Sequence, residues 1–154
     1  MVRVPGGAFK LEHPVDPSML GDDELKKVIN EKIIDPLFEK KGVILTPYGN
    51  DSGSGSLKKH TKMAGRKIEW ESVENVRKAY TVVYEALIFP AQKRGGPKSR
   101  GSYGLKHCVE KLVGGYISNG ECIVAVILAG CPADFGETHK YGPFVNPELY
   151  PRTI

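Results

Sequence analysis

The strongest constraint on the fold is an unbroken run of eight apolar residues, 122–129. A membrane-spanning helix needs roughly 20 such residues, so this run is far too short to cross a bilayer. Ser118 and Glu121 precede it with the spacing of a capping box, and Gly130 follows it as a helix stop. The pattern predicts a helix over residues 119–129 that is apolar on nearly all sides and must be surrounded by the rest of the chain.

Apolar residues that recur at three- and four-residue spacing predict three further helices, over residues 22–41, 71–89 and 103–113. Pro36 interrupts the first of them, because proline lacks a backbone N–H and clashes with the preceding turn. We expect it to kink that helix or to split it after Ile34. Ser102 is expected to cap the third helix, and Gly42 is expected to end the first.

The fold class follows from these helices and the segments between them. The chain has 154 residues, 40% of them hydrophobic, which suits one domain with one core. We predict a mainly α protein, a compact bundle of about four helices in a single domain, 1–154, with room for one short β-hairpin. Prolines predict an extended N-terminal arm, 1–19, and an extended C-terminal arm, 131–154. The glycine- and lysine-rich residues 47–67 predict a flexible basic loop.

Positive charge is concentrated in the middle of the chain. Residues 58–111 contain 13 lysines and arginines against five acidic residues, a net charge of +8. Residues 1–57 and residues 112–154 each carry a net charge of −2. Such an asymmetry is typical of a protein that binds a polyanion or an acidic protein surface, although a solvated basic face would produce the same pattern.

Most of these basic residues fall in two glycine-containing loops, 58–67 and 92–106, on either side of the second helix. The start of the third helix also offers free backbone N–H groups, which favour an anion. We therefore predict a protein that binds the phosphate backbone of DNA or RNA without sequence preference. The predicted contact residues are Lys58, Lys59, Lys62, Arg66, Lys67, Lys93, Arg94, Lys98, Arg100, Ser102 and Lys106.

Two more specific nucleic-acid or nucleotide motifs are not supported. The third and fourth helices are spaced like a helix-turn-helix, but the apolar fourth helix lacks the polar side chains that read base edges. A helical hairpin in the core is the better interpretation. Residues 96–102 have the glycine spacing of a phosphate loop, yet the lysine that should follow the second glycine is absent.

Two other classes of function stay open. The proline- and aromatic-rich arms suit a structural assembly or virion component that is held to neighbouring copies by those arms. An enzyme is the third hypothesis, with Cys131 as a nucleophile and with Asp134 and His139 close to it in sequence. We predict no metal and no cofactor, because the histidines and cysteines do not follow a familiar zinc-binding spacing.

One segment resembles a known group of proteins. It reads Ser102-Tyr-Gly-Leu-Lys-His-Cys-Val-Glu110, then Gly115-Tyr-Ile-Ser-Asn-Gly120 and Ala129-Gly130. It is similar to a segment of small uncharacterised virus-encoded proteins. The resemblance covers residues 102–130 and contains no known catalytic residue, so it implies at most a viral source and favours a viral or nucleoprotein role. Because the first residues lack the apolar stretch of a signal peptide, we expect an intracellular protein of the cytoplasm or nucleus, or a virion component, without a membrane partner.

Overall fold

A computed structural model describes residues 6–46, 49–51, 72–86, 91–92, 96–97, 99–136 and 146–151. Over these ranges the protein is mainly helical, and the helices pack as a bundle with extended arms, which confirms the predicted fold class. The α-helices are α1 (Asp22–Ile29), α2 (Asp35–Lys41), α3 (Glu74–Ala86), α4 (Ser102–Val113) and α5 (Asn119–Leu128).

The first predicted helix is divided by a π-helical turn, Asn30–Ile34, which joins α1 to α2. The N–H of Asp35 donates to the carbonyl of Asn30, five residues earlier instead of four. This shift lets Pro36 lie in the first turn of α2, where its missing N–H is not needed. The backbone stays helical from Ile29 to Asp35, so the helix is not split after Ile34, and Pro36 is accommodated by the change in hydrogen bonding.

Helix α5 is the centre of the core. Every residue of the run 122–129 is fully buried, and α5 packs against both α3 and α4. The Ser118 hydroxyl accepts a hydrogen bond from the Glu121 N–H, and the Glu121 carboxylate accepts one from the Ser118 N–H. The predicted capping box and the predicted burial of this helix are both confirmed. Around it the described apolar residues form one continuous core cluster.

Short strands connect the helices. β1 pairs with β2 as an antiparallel hairpin, β3 pairs with β4 in the same way, and a three-stranded antiparallel sheet has the order β5–β7–β6. The strands are β1 (Ile44–Thr46), β2 (Gly49–Asp51), β3 (Ala91–Gln92), β4 (Gly96–Pro97), β5 (Arg100–Gly101), β6 (Ala133–Asp134) and β7 (Glu148–Leu149).

The three-stranded sheet joins both arms to the start of α4. In its central strand, Leu149 is the partner of both Arg100 and Ala133. Phe9 of the N-terminal arm continues the sheet beyond β6, because it exchanges two backbone hydrogen bonds of 2.7 and 2.8 Å with Ala133. The described part of the C-terminal arm therefore lies across its own domain, and Leu149 is fully buried there.

Ser102 differs from the prediction. The N-cap of α4 is Gly101, and Ser102 is the first helical residue. Its backbone N–H donates to the Pro147 carbonyl at 2.9 Å, so the C-terminal arm and not a side-chain cap bonds this end of the helix. The predicted second helix is also shorter in the described residues, where it begins at Glu74 and ends at Ala86.

Candidate functional site

Three of the eleven predicted contact residues belong to the described part of the chain: Arg100, Ser102 and Lys106. They all lie in β5 or in the first two turns of α4. The other eight lie outside the described residues: Lys58, Lys59, Lys62, Arg66, Lys67, Lys93, Arg94 and Lys98. The structure therefore places only the C-terminal end of the predicted site. The phosphate contacts of the two basic loops stay a prediction.

Arg100 lies along the surface of α4. Its guanidinium passes over Gly104, where Nη2 is 3.4 Å from the position that a Cβ would take, and Nη1 donates to the Cys108 thiol sulfur at 2.8 Å. The absence of a side chain at Gly104 leaves space for this path. Arg100 is partly buried as a result, and its guanidinium lies against α4 between Gly104 and Cys108.

Ser102 is fully buried at the start of α4. Its hydroxyl has no hydrogen-bond partner among the described residues. A buried hydroxyl without a partner costs free energy, about 1 to 3 kcal/mol. The side chain faces packed atoms and not solvent, so Ser102 offers no surface to a ligand in this conformation.

Lys106 is held by a carboxylate and by two aromatic rings. Its side chain is 10% exposed, and its Nζ lies 3.0 Å from Glu110 Oε1. The same Nζ lies 5.4 Å from the ring centre of Tyr103 and 5.0 Å from that of Tyr116, which are cation–π distances. The hydrogen bond from Lys106 is the main cause of a lowered pKa of Glu110, which burial opposes.

Around Lys106 the surface is aromatic. The rings of Tyr103 and His107 meet edge to face at 4.5 Å, and His107 Nδ1 lies 3.2 Å from Glu110 Oε1. Tyr103 is 55% exposed and Tyr116 is 68% exposed, so both rings present faces to solvent. We call Tyr103, His107 and Tyr116, with Lys106 between the two tyrosines, the tyrosine surface. Planar rings beside a cation can stack against another flat, electron-rich ring system.

Comparison with known proteins does not assign this chain to a family. No protein-family model, no curated protein and no solved structure matches the chain. The resemblance of residues 102–130 to virus-encoded proteins therefore stays a prediction. Within the described ranges, no helix is both long enough and apolar enough to span a membrane.

Two of the three cysteines, Cys122 and Cys131, are buried. Burial raises the pKa of the Cys122 thiol to about 12, so it stays protonated near neutral pH. Cys131, the predicted nucleophile, is 2% exposed, and His139 lies outside the described residues. In the part of the chain that the structure describes, no three histidine, cysteine, aspartate or glutamate side chains are grouped so that they could hold a metal ion.

Tyr103 lies in the predicted basic loop 92–106, where the sequence allows a tyrosine to stack on a base, whereas no sequence pattern pointed to Tyr116. Tyr116 lies outside the predicted basic loops, in the connection between α4 and α5. The connection runs back along α4 and brings the Tyr116 ring over Lys106. The Gly114–Gly115 pair was the one local signal, since a left-handed glycine, with φ of 79° at Gly114, permits such a reversal.

Proposed function

We propose that this protein binds single-stranded nucleic acid with little sequence preference. The observation that supports the proposal is the tyrosine surface, where two exposed rings stand within 5.4 Å of one buried ammonium group. Proteins that bind single strands combine aromatic side chains, on which bases stack, with positive charge that follows the backbone. Stacking tolerates any sequence because every base has an aromatic face.

The surrounding sequence supplies the charge. The tyrosine surface lies at the end of the segment 58–111, whose net charge is +8. Arg100, in β5, and Tyr103, in α4, both belong to the second predicted basic loop, 92–106. That loop is therefore continuous in the chain with the tyrosine surface. Stacking on Tyr103 and Tyr116 requires exposed base faces, and duplex DNA hides these in its interior. This favours a single strand over a duplex.

An assembly component is the alternative that the sequence suggested. That hypothesis depends on arms that reach a neighbouring copy. In the described residues the C-terminal arm instead pairs with β5 and β6 of its own chain. The tyrosine surface favours nucleic-acid binding, and we give that function first place.

The test compares tyrosine-to-leucine variants in a binding measurement. Fluorescence anisotropy with labelled oligothymidylate and with a random duplex, at low and at moderate salt, gives both affinities and their salt dependence. The double variant Tyr103→Leu/Tyr116→Leu should weaken single-strand binding by about tenfold or more, since each stacked base contributes about 1–3 kcal/mol. Tyr84→Leu is the matched control, because Tyr84 is 40% exposed on α3 and lines a different cavity, with Pro17 and Arg77.

Three results would contradict the proposal in whole or in part. One is an absence of single-strand binding by the wild-type protein at low salt, where phosphate contacts are strongest. Another is an equal effect of the double variant and the Tyr84→Leu control. A duplex affinity that exceeds the single-strand affinity would reject stacking as the mode of binding while leaving backbone contact in place.

A further inference from the structure

A second positively charged surface lies far from the predicted loops in sequence. It is a groove of about 400 Å³ between the N-terminal arm and the helical segment that contains the π turn. Four basic side chains and one acidic side chain are among its lining residues, and we call it the lysine groove. These charged or titratable residues are Lys10, Glu12, His13, Lys32 and Lys40.

The arm is a fixed wall of this groove. The backbones of Phe9 and Ala133 each donate a hydrogen bond to the other, and the Val15 N–H donates to the Leu128 carbonyl at 2.8 Å. Between these two anchors, Pro14 packs on Gly130 so closely that a Cβ on Gly130 would lie 2.9 Å from the Pro14 Cγ. The groove is therefore held open by backbone hydrogen bonds and packing, and a ligand has little ordering to impose on it.

The three lysines of the groove are exposed, and none forms an ion pair among the described residues. Some other described cations are bonded within the fold. Arg77, for example, lies 2.5 Å from Asp22, and it also donates to the Leu20 carbonyl at 3.0 Å. Unpaired lysines that face one groove repel each other, and an anion between them relieves that repulsion.

The floor and spacing of the groove indicate which kind of anion it fits. Phe9 and Leu11 contribute an apolar base, each less than one-tenth exposed. Lys32 and Lys40 lie eight residues apart on one helical segment, which corresponds to about 12 Å along a helix axis. Separated ammonium groups above an apolar floor suit a chain of phosphates joined by sugars better than one compact anion.

We propose that the lysine groove binds the phosphodiester backbone of the same nucleic-acid strand whose bases stack on the tyrosine surface. This inference rests on the proposed function. The sheet links the start of α4, which carries Tyr103, to the arm that lines the groove, because Arg100, Leu149, Ala133 and Phe9 are partners across adjacent strands. Three strand spacings separate Arg100 from Phe9, about 14 Å in all. An extended single strand of a few nucleotides spans that distance.

The experiment compares two triple variants that lose the same charge. Lys10→Ala/Lys32→Ala/Lys40→Ala removes the lysines of the groove. The control replaces three lysines that do not line it, Lys26, Lys27 and Lys78, by alanine. Each protein is titrated against labelled oligothymidylate of about 20 nucleotides, longer than the usual site of a single-strand-binding domain, over a range of salt concentrations. Polyglutamate is titrated in parallel as a peptide polyanion, and circular dichroism checks that both variants fold.

The groove variant should bind the oligonucleotide at least about tenfold more weakly, and the salt slope should fall by about 2, since each single-strand phosphate contact contributes roughly 0.7. The control should change the slope by less than about 0.7, one contact. Equal losses in the two variants would overturn the groove site and leave the tyrosine surface, and so the proposed function, standing. Loss of polyglutamate binding alone would assign the groove to an acidic protein instead. Absence of oligonucleotide binding by the wild-type protein would reject both proposals.

Discussion

Arg100 of β5 and Lys106 of α4 are held in the opposite way from the lysines of the groove. In α4, Lys106 is nearly buried and paired with Glu110, and the Arg100 guanidinium lies against the Cys108 sulfur. In the groove, the three lysines are exposed and lack a carboxylate partner among the described residues. The first set stabilises the fold and positions aromatic rings, whereas the second set is available to an anion.

The difference shows that charge counted along a chain does not measure the charge that a ligand meets. The segment 58–111 has a net charge of +8, yet the described cations within it that were predicted to bind phosphate are engaged in packing. The segment 1–57 has a net charge of −2, yet it contains all three lysines of the groove. Of the nine acidic residues of that segment, Glu12 lines the groove.

The largest expected effect concerns two left-handed glycines, one in each region. Gly130 lies beneath the arm with φ of 87°, and Gly114 ends α4 with φ of 79°. A Cβ on Gly130 would clash with Pro14, whereas one on Gly114 would meet nothing within 4 Å. We expect Gly130→Ala to lower the free energy of unfolding by about 3 kcal/mol and Gly114→Ala by about 1 kcal/mol, because only the former adds a clash to the backbone strain. Urea denaturation measures both.

A second substitution shows whether the clash causes the difference. Pro14→Ala in the Gly130→Ala background removes the ring that the new methyl group would meet, and it should restore most of the difference. If Gly130→Ala and Gly114→Ala cost the same, the arm is not held tightly at residue 130. The lysine groove would then lack its fixed wall.

The parts of the fold that local pattern determines could be predicted. Pro36 alters the hydrogen bonding of its helix near the expected position, because the missing N–H acts within one turn. The capping box at Ser118 and Glu121 and the complete burial of residues 122–129 likewise depend on neighbours in sequence. Each of these features depends on residues that are at most a few positions apart in the sequence.

The candidate surfaces could not be predicted, because they depend on contacts between distant segments. The lysine groove needs Lys10 to meet Lys32 and Lys40 across the arm, and no periodicity in the sequence marks that pairing. Ser102 was expected to cap α4, but the approach of Pro147 from the C-terminal arm replaces that role. Composition indicated that the arms are extended, and it could not indicate what they lie against.

A smaller effect tests whether Lys106 is indeed part of the fold. Loss of one partner from a fully buried ion pair costs about 3–5 kcal/mol. Because Glu110 is 21% exposed, we expect Lys106→Ala to cost less, about 2 kcal/mol. Lys32→Ala, which removes an exposed lysine of the groove, should change stability by less than about 0.5 kcal/mol. Equal effects in urea denaturation would show that the two sets of cations do not differ as described.

The smallest expected effect is the pH dependence of the same ion pair. Lys106 lowers the pKa of Glu110 in the folded protein below its value in the unfolded chain. A lowered pKa contributes stability that is present above the unfolded value, about 4.3, and is lost as the pH falls through the folded value. Between about pH 5 and pH 3, wild-type protein should therefore lose more stability than Glu110→Gln, whose amide does not titrate. If Glu110→Gln showed the full acid loss, the carboxylate at residue 110 would contribute nothing to holding Lys106, and the contrast between the two regions would rest on burial alone.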